Sequence, residues 1–359
     1  MKSHLCILME VLLLQEYAPN LSQCASIIMN ILLKKLRSLA FLVALIFISA
    51  CGGGGENVTT PDQPDPISTS DSSVPSCSNY SSIENTQYCS FTKDGSTREF
   101  YIYVPNGYSE YISPVSVLFS LHGGGDYAES NMQYSGFKEH ADTDTFILVY
   151  PQGAYYDDKG TTGWNTEDGG VNDVAFIESI IDWTGDNYNV QLNEVYAAGF
   201  SNGGFMAYHL ACYLSSKIAA IAPVAGLMGN YTYDTCSPLH STPLAHIHGL
   251  QDDVISINGG DDFRPLEDNG DTTGVITYWQ AYNQCTEFSQ EPLYDGEDSI
   301  GTVSKWTNCS NGADINYWTV SNQGHEWNEG NKGESIGFDT SKTLWDFLKQ
   351  FDMNGAKRK

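Results

Sequence analysis

Residues 195–214, VYAAGFSNGGFMAYHLACYL, constrain the fold more than any other stretch of the chain. They read as a strand (VYAAGF), a glycine-tight turn and an amphipathic helix. At the centre stands Gly199-Phe200-Ser201-Asn202-Gly203, a G-x-S-x-G pentapeptide. The two glycines suit a turn too sharp for a Cβ. Such a turn pushes Ser201 out at the C-terminal edge of the strand, with its oxygen at the N-terminus of the helix. Unbonded backbone N–H groups and partial positive charge gather at that end. The pentapeptide is a weak signal by itself; the strand before it and the helix after it give it weight.

Taken in order, the chain alternates strands and helices. Residues 98–105 alternate in polarity and read as an outer strand. Residues 115–121 (VSVLFSL) are almost wholly apolar, as a strand covered on both faces should be. They run straight into His122-Gly123-Gly124-Gly125-Asp126. A helix is expected over 128–141, a strand over 146–150, and a helix over 172–188. Residues 155–170 have loop composition with one exposed-looking aromatic, Trp164. After the Ser201 stretch, 218–224 and 244–248 read as short buried strands and 272–283 as a helix. Residues 303–306 and 315–320 read as short outer strands. Leu344, Phe347, Leu348 and Phe351 recur at helical spacing, so 342–351 is expected to close the domain as a helix. The pattern predicts an α/β fold with a mostly parallel central sheet and helices on both faces. No internal repeat and no second domain are visible.

The 359 residues, 41% hydrophobic and 12% aromatic, suffice for one large α/β domain. A formal net charge of −27 argues against nucleic acid and anionic membrane surfaces as partners. The first 50 residues read as an export signal whose true start is Met29. Lys34, Lys35 and Arg37 form its charged region and 39–48 its apolar core, too short for a comfortable membrane span. Ile48-Ser49-Ala50-Cys51 resembles the lipobox of bacterial lipoproteins, which implies a lipid on Cys51 and an outer-membrane, cell-surface or secreted location. Residues 51–76 form a flexible Gly, Pro, Ser and Asp linker, and 77–359 the catalytic domain.

Of nine cysteines, Cys6 and Cys24 precede the expected start and Cys51 is the expected lipid site. The remaining six, Cys77, Cys89, Cys212, Cys236, Cys285 and Cys309, are an even set in an exported chain and read as disulfides. Six thiols allow 15 pairings. Sequence neighbours are expected to pair: Cys77–Cys89, Cys212–Cys236 and Cys285–Cys309.

A serine hydroxyl needs a base to take its proton, and the base needs a carboxylate to fix its tautomer. The strand–elbow–helix resembles the nucleophile elbow of α/β-hydrolases, in which serine, acid and histidine follow one another along the chain. The loop after 244–248 supplies Asp252, with Asp253 as the near alternative. Only His325 follows that acid, between the last strand and the last helix. The oxyanion hole is expected from the backbone N–H groups of Asn202 and Gly124. His122 reads as a buried brace for the glycine loop. His246 and His248 share one face of a strand; with Asp252 they could hold a metal, but no metal or cofactor is expected. Glu167-Asp168 and Asp261-Asp262 read as solvated turns.

Together, Gly199 to Met206, Leu121-His122-Gly123, His248-Gly249 with Asp252, and Gly324-His325-Glu326-Trp327 resemble the exported polyhydroxybutyrate depolymerases and feruloyl esterases, near carbohydrate esterase family one. Asn172 to Ile177 and Trp279 with Asn283-Gln284-Cys285 also match, and the resemblance covers roughly residues 97–350. It implies an α/β-hydrolase and a serine carboxylesterase with Ser201, His325 and Asp252 as its triad. It implies an ester substrate, possibly polymeric, lying over Trp164 and Trp327. Feruloyl or acetyl esters of plant polysaccharide are the expected substrates and short polyhydroxyalkanoates the alternative. A serine peptidase and a non-catalytic binding lipoprotein are the rival classes. A monomer is expected.

Overall fold

The apolar runs of the sequence become the centre of one large sheet. The protein is seen here as a computed structural model, which describes residues 74–110, 112–270, 272–328 and 338–357. The expected signal segment, Cys51 and nearly all of the linker lie outside the described residues. All described residues belong to one compact unit, Ser68–Lys359. The chain opens with β1 (Ser76–Asn79), β2 (Thr86–Lys93), β3 (Ser96–Tyr103) and β4 (Val115–Leu121). Helices α1 (Ala128–Tyr134) and α2 (Phe137–Asp144) lead to β5 (Ile147–Pro151). A small hairpin, β6 (Ala154–Tyr156) with β7 (Thr161–Gly163), precedes α3 (Asp173–Asn187). Then come β8 (Val190–Phe200), α4 (Asn202–Tyr213), β9 (Ala220–Val224), α5 (Asn230–Thr235) and β10 (Leu244–Gly249). The chain continues through α6 (Val275–Tyr282), β11 (Glu287–Asp295), β12 (Asp298–Thr307), β13 (Ile315–Val320) and α7 (Thr340–Leu348).

The sheet order is β1-β2-β3-β5-β4-β8-β9-β10-β13-β12-β11. The six strands from β5 to β13 run parallel. Antiparallel wings extend the sheet on both sides. This is the α/β-hydrolase architecture. Its parallel strands need apolar side chains on both faces because helices cover both. Side chains accordingly alternate between two cores. Val117, Phe119, Val195, Ala197 and Leu244 pack on one face. Leu118, Tyr196, Ala198, Ala245 and Ile247 pack on the other.

The elements depart from expectation where local chemistry overrides periodicity. The helix expected over 128–141 is two helices, because Gly136 takes a left-handed φ of 70° between them. The strand expected over 303–306 is longer and pairs with β11, whose polar, mostly exposed residues carry no strand alternation. The last helix is capped by Asp339, whose side chain accepts the Lys342 N–H at 2.8 Å, and ends at Leu348; Phe351 lies in a short strand. All three disulfides join the expected pairs, with Cα separations of 4.1, 4.8 and 3.9 Å. Cys77 and Cys89 are directly opposite across β1 and β2. Three such bonds mean that this unit matures in an oxidising compartment.

Candidate active site

The elbow follows from what its glycines allow. A Cβ on Gly199 would run into the Gly203 carbonyl, and one on Gly203 into the carbonyls of Leu121 and His122. Both positions therefore need a hydrogen, and helix α4 packs its first turn hard against the end of β4. Ser201 absorbs the bend, with φ 53° and ψ −120°, a sparsely populated conformation for a residue with a side chain. Its N–H donates to the Val224 carbonyl at 2.9 Å, so β9 holds the strained residue in place.

Two further loops converge on this corner from the ends of β10 and β13. The Leu250 N–H donates to Val320 O and the Gln251 N–H to Gln323 O, both at 2.9 Å, which laces the loops together. His325 Nδ1 donates to Asp252 Oδ2 at 2.8 Å. The imidazole lies against Phe200, ring centres 4.9 Å apart, beside the residue that precedes Ser201. Asp252 Oδ1 accepts the N–H groups of Val254 and Ile255 at 3.0 and 2.8 Å. The Asp252 side chain is fully buried. Burial pushes its pKa up, but hydrogen bonds from His248, His325 and Ile255 outweigh that and hold it well below the usual carboxylate range. Asp252 is thus a buried anion beside a histidine, whereas Asp253 is exposed.

The glycine loop after β4 stands over the start of α4. A Cβ on Gly124 would be in ordinary contact, 3.5 Å from that of Asn202. The Asn202 N–H belongs to the first turn of α4 and has no intrahelical acceptor. His122 is buried beneath this loop. Its Nδ1 donates to Gly123 O at 2.7 Å and its Nε2 accepts the Gly153 N–H at 2.9 Å, as expected for a brace. Burial lowers its pKa, so it stays neutral.

Both tryptophans expected to face substrate are buried, and that expectation is corrected. Trp164 is 4% exposed. The β6–β7 hairpin tucks it under the glycine loop, where its indole N–H donates to His122 O at 2.8 Å. Its backbone N–H and carbonyl bond the Asn202 side chain at 2.7 and 3.2 Å. Trp327 is 7% exposed, donates to Ser135 O at 3.2 Å and packs edge-on against Phe137. A buried indole finds an acceptor for its N–H, and both have done so.

One contributor escaped sequence reading. Asp173 forms a buried ion pair with Arg98 at 2.6 Å and accepts the Asn165 N–H at 2.7 Å. It anchors the loop that follows Trp164. Asn172 caps α3 by accepting the Ala175 N–H at 2.9 Å. Asn172-Asp173 was visible as a motif, but the partner Arg98, 75 residues away in sequence, was not. His246 and His248 do share one face, with stacked rings 5.3 Å apart. All four of their ring nitrogens are engaged in hydrogen bonds. Among the described residues no group of three or more His, Cys, Asp or Glu side chains is arranged to hold a metal.

No protein-family model matches the chain. A bifunctional acetylxylan esterase/xylanase of Neocallimastix patriciarum is 26% identical over 268 residues, covering 73% of this chain and 35% of its own length. Feruloyl esterase D of Neurospora crassa is 24% identical over 289 residues, covering 77% of this chain and 90% of its own. The chain therefore spans about a third of the first relative and nearly all of the second. Among solved structures, an acetyl xylan esterase from Aspergillus awamori aligns with a TM-score of 0.48 at 16% identity, covering 64% of this chain and 89% of that one. The relatives carry the names of the esterase group that the sequence motifs resemble.

Proposed function

We propose that the chain is a serine carboxylesterase. The observation that carries this reading is the bond from half-buried His325 to buried Asp252, set against the Phe200–Ser201 elbow. His325 uses Nδ1 to donate to Asp252, which leaves Nε2 bare to take the Ser201 proton. Ser201 Oγ then attacks the ester carbonyl, and the negative oxygen is received by the N–H groups of Asn202 and Gly124. His325 returns the proton to the departing alcohol. Water, activated by the same imidazole, releases the acid from Ser201 and restores the enzyme.

The expected substrates are feruloyl or acetyl esters of plant polysaccharide, a reading supported by the names of the relatives. With Trp164 and Trp327 buried, an aromatic acyl group is assigned instead to Phe205 and Phe263. Phe205 lies four residues after Ser201, on the same side of α4. It meets Phe263 edge-on at 5.7 Å, and both rings are half-buried. Residues 1–50 act as an export signal, Cys51 carries a lipid anchor, and 51–76 tether the catalytic domain, which works as a monomer without cofactor or metal. Mass spectrometry of the mature N-terminus tests the anchor: an unmodified or absent Cys51 refutes it.

The enzymatic reading is tested by fluorophosphonate labelling together with hydrolysis of methyl ferulate, acetylated xylan, p-nitrophenyl acetate, polyhydroxybutyrate and a peptide anilide. Labelling at Ser201 and turnover of the first two is the expected result. Full ester hydrolysis by Ser201→Ala overturns it.

A further inference from the structure

Three titratable side chains form a line that ends at Asp252, and the mechanism above uses none of them. Tyr208 of α4 and His246 and His248 of β10 are each completely buried. Burying such groups costs stability unless each finds its partners, and here they form an unbroken line. The Tyr208 hydroxyl lies 2.8 Å from His246 Nδ1. His246 Nε2 lies 3.0 Å from His248 Nδ1. His248 Nε2 lies 2.8 Å from the Ile255 carbonyl and 3.3 Å from Asp252 Oδ2.

The far end of this line sets its direction. Ile255 O and the Asp252 carboxylate can only accept, so His248 Nε2 must carry the hydrogen. With one ring hydrogen, placed on Nε2, His248 offers Nδ1 as an acceptor for His246 Nε2–H. His246 Nδ1 is bare in turn and takes the Tyr208 O–H. Reversing the line would turn a nitrogen lone pair toward two acceptor oxygens. Burial holds the His246 pKa well below its usual value, so His246 stays neutral as this single-hydrogen arrangement requires.

We propose that Tyr208, His246 and His248 are positioning residues that fix His248 as the Nε2–H tautomer and so give Asp252 Oδ2 a second donor beside His325. The proposal rests on the esterase reading. With His325 at 2.8 Å and His248 at 3.3 Å from the same Oδ2, and the N–H groups of Val254 and Ile255 on Oδ1, the carboxylate is held at both oxygens and fixes the His325 ring in turn. The line touches no substrate, so it acts on turnover and leaves binding alone.

The test combines kinetics on a soluble ester with ¹⁵N NMR of the imidazoles. In the unmodified protein, His248 should show protonated Nε2 and bare Nδ1. Tyr208→Phe, which keeps the ring, should lower kcat about 3- to 10-fold, the scale of one lost hydrogen bond, with KM within twofold. His248→Leu should lower kcat further. His248→Gln, whose amide N–H reaches the place of Nε2–H, should recover part of that loss. In the His248→Leu background, Tyr208→Phe should have no added effect, because the line is already cut. A His248 protonated on Nδ1 overturns the proposal, as does an unchanged kcat in Tyr208→Phe or fully additive losses. If His248→Leu does not fold, Tyr208→Phe and the NMR tautomers decide alone. Ser201→Ala is the control: full activity there sinks the esterase reading and the proposal with it, whereas an inactive Ser201→Ala beside an unaffected Tyr208→Phe sinks only the proposal.

Discussion

His325 and Asp252 stand 73 residues apart in the chain and 2.8 Å apart in space. The hydrogen bond has one polarity, because an ionised carboxylate accepts only. Asp252→Asn would keep the acceptor oxygen for the N–H groups of Val254 and Ile255 and place an NH₂ against His325. His325 would then turn its bare nitrogen toward that amide and its N–H toward Ser201. The fold should survive and kcat fall about 10⁴-fold. Steady-state kinetics with a far-UV CD spectrum check both halves; a loss under tenfold would remove Asp252 from the proposed triad.

Trp164 pins the start of α4 and the glycine loop through the side chain of Asn202 and the carbonyl of His122. Trp164→Phe removes the indole N–H and leaves His122 O without that donor. A stability loss of about 1–3 kcal/mol is expected, the cost of an orphaned buried polar group. KM for methyl ferulate should not change. Phe263→Ala should do the opposite, raising KM for methyl ferulate more than for p-nitrophenyl acetate at near-constant stability. Denaturant titration and the two KM values separate the roles; a raised KM in Trp164→Phe would return that residue to the substrate surface.

Gly203 has no room for a methyl group, since a Cβ there would press on the carbonyls of Leu121 and His122. Both belong to the segment that leads into the glycine loop, so the strain from Gly203→Ala would move Gly124 away from Asn202. Activity should fall at least 10²-fold, the scale of one lost oxyanion donor. An Ala substitution at exposed Gly160, where a Cβ meets no atom within 4 Å and the cost is only its left-handed φ of 66°, controls for lost glycine freedom away from the elbow.

How much of this was legible in the sequence differs from part to part. The Ser201 elbow was readable because its signal is local: glycine spacing, strand before, helix after. Chain order then pointed to Asp252 and His325, which the fold brings within 2.8 Å of each other, and neighbouring positions to the disulfides. The β1–β2 wing and β11 were missed because edge strands do not bury both faces and carry little apolar pattern. Trp164 was misplaced because loop composition suggests solvent, whereas the β6–β7 hairpin folds it inward. The Arg98–Asp173 pair and the Tyr208 line depend on contacts between distant strands and helices, which no local pattern encodes.

Acid should unfold this domain early, and His209 provides the clearest reason. It is buried in α4, bonded through Nδ1 to Thr232 Oγ1 at 2.7 Å. Burial lowers its pKa from 6.5 to about 4. In the unfolded chain the same histidine takes a proton below about pH 6.5. Between these values the unfolded state binds more protons, so stability is fully present above about pH 6.5 and drains away as pH falls toward 4. The difference amounts to about 3 kcal/mol. Burial lowers the pKa values of His122 and His246 as well, and they add in the same direction. The urea midpoint measured from pH 7.5 to 4.5 should therefore fall steeply, and His209→Gln, neutral throughout, should flatten the slope by about one proton. A His209→Gln slope equal to that of the parent would mean that His209 is protonated inside the fold, against its burial.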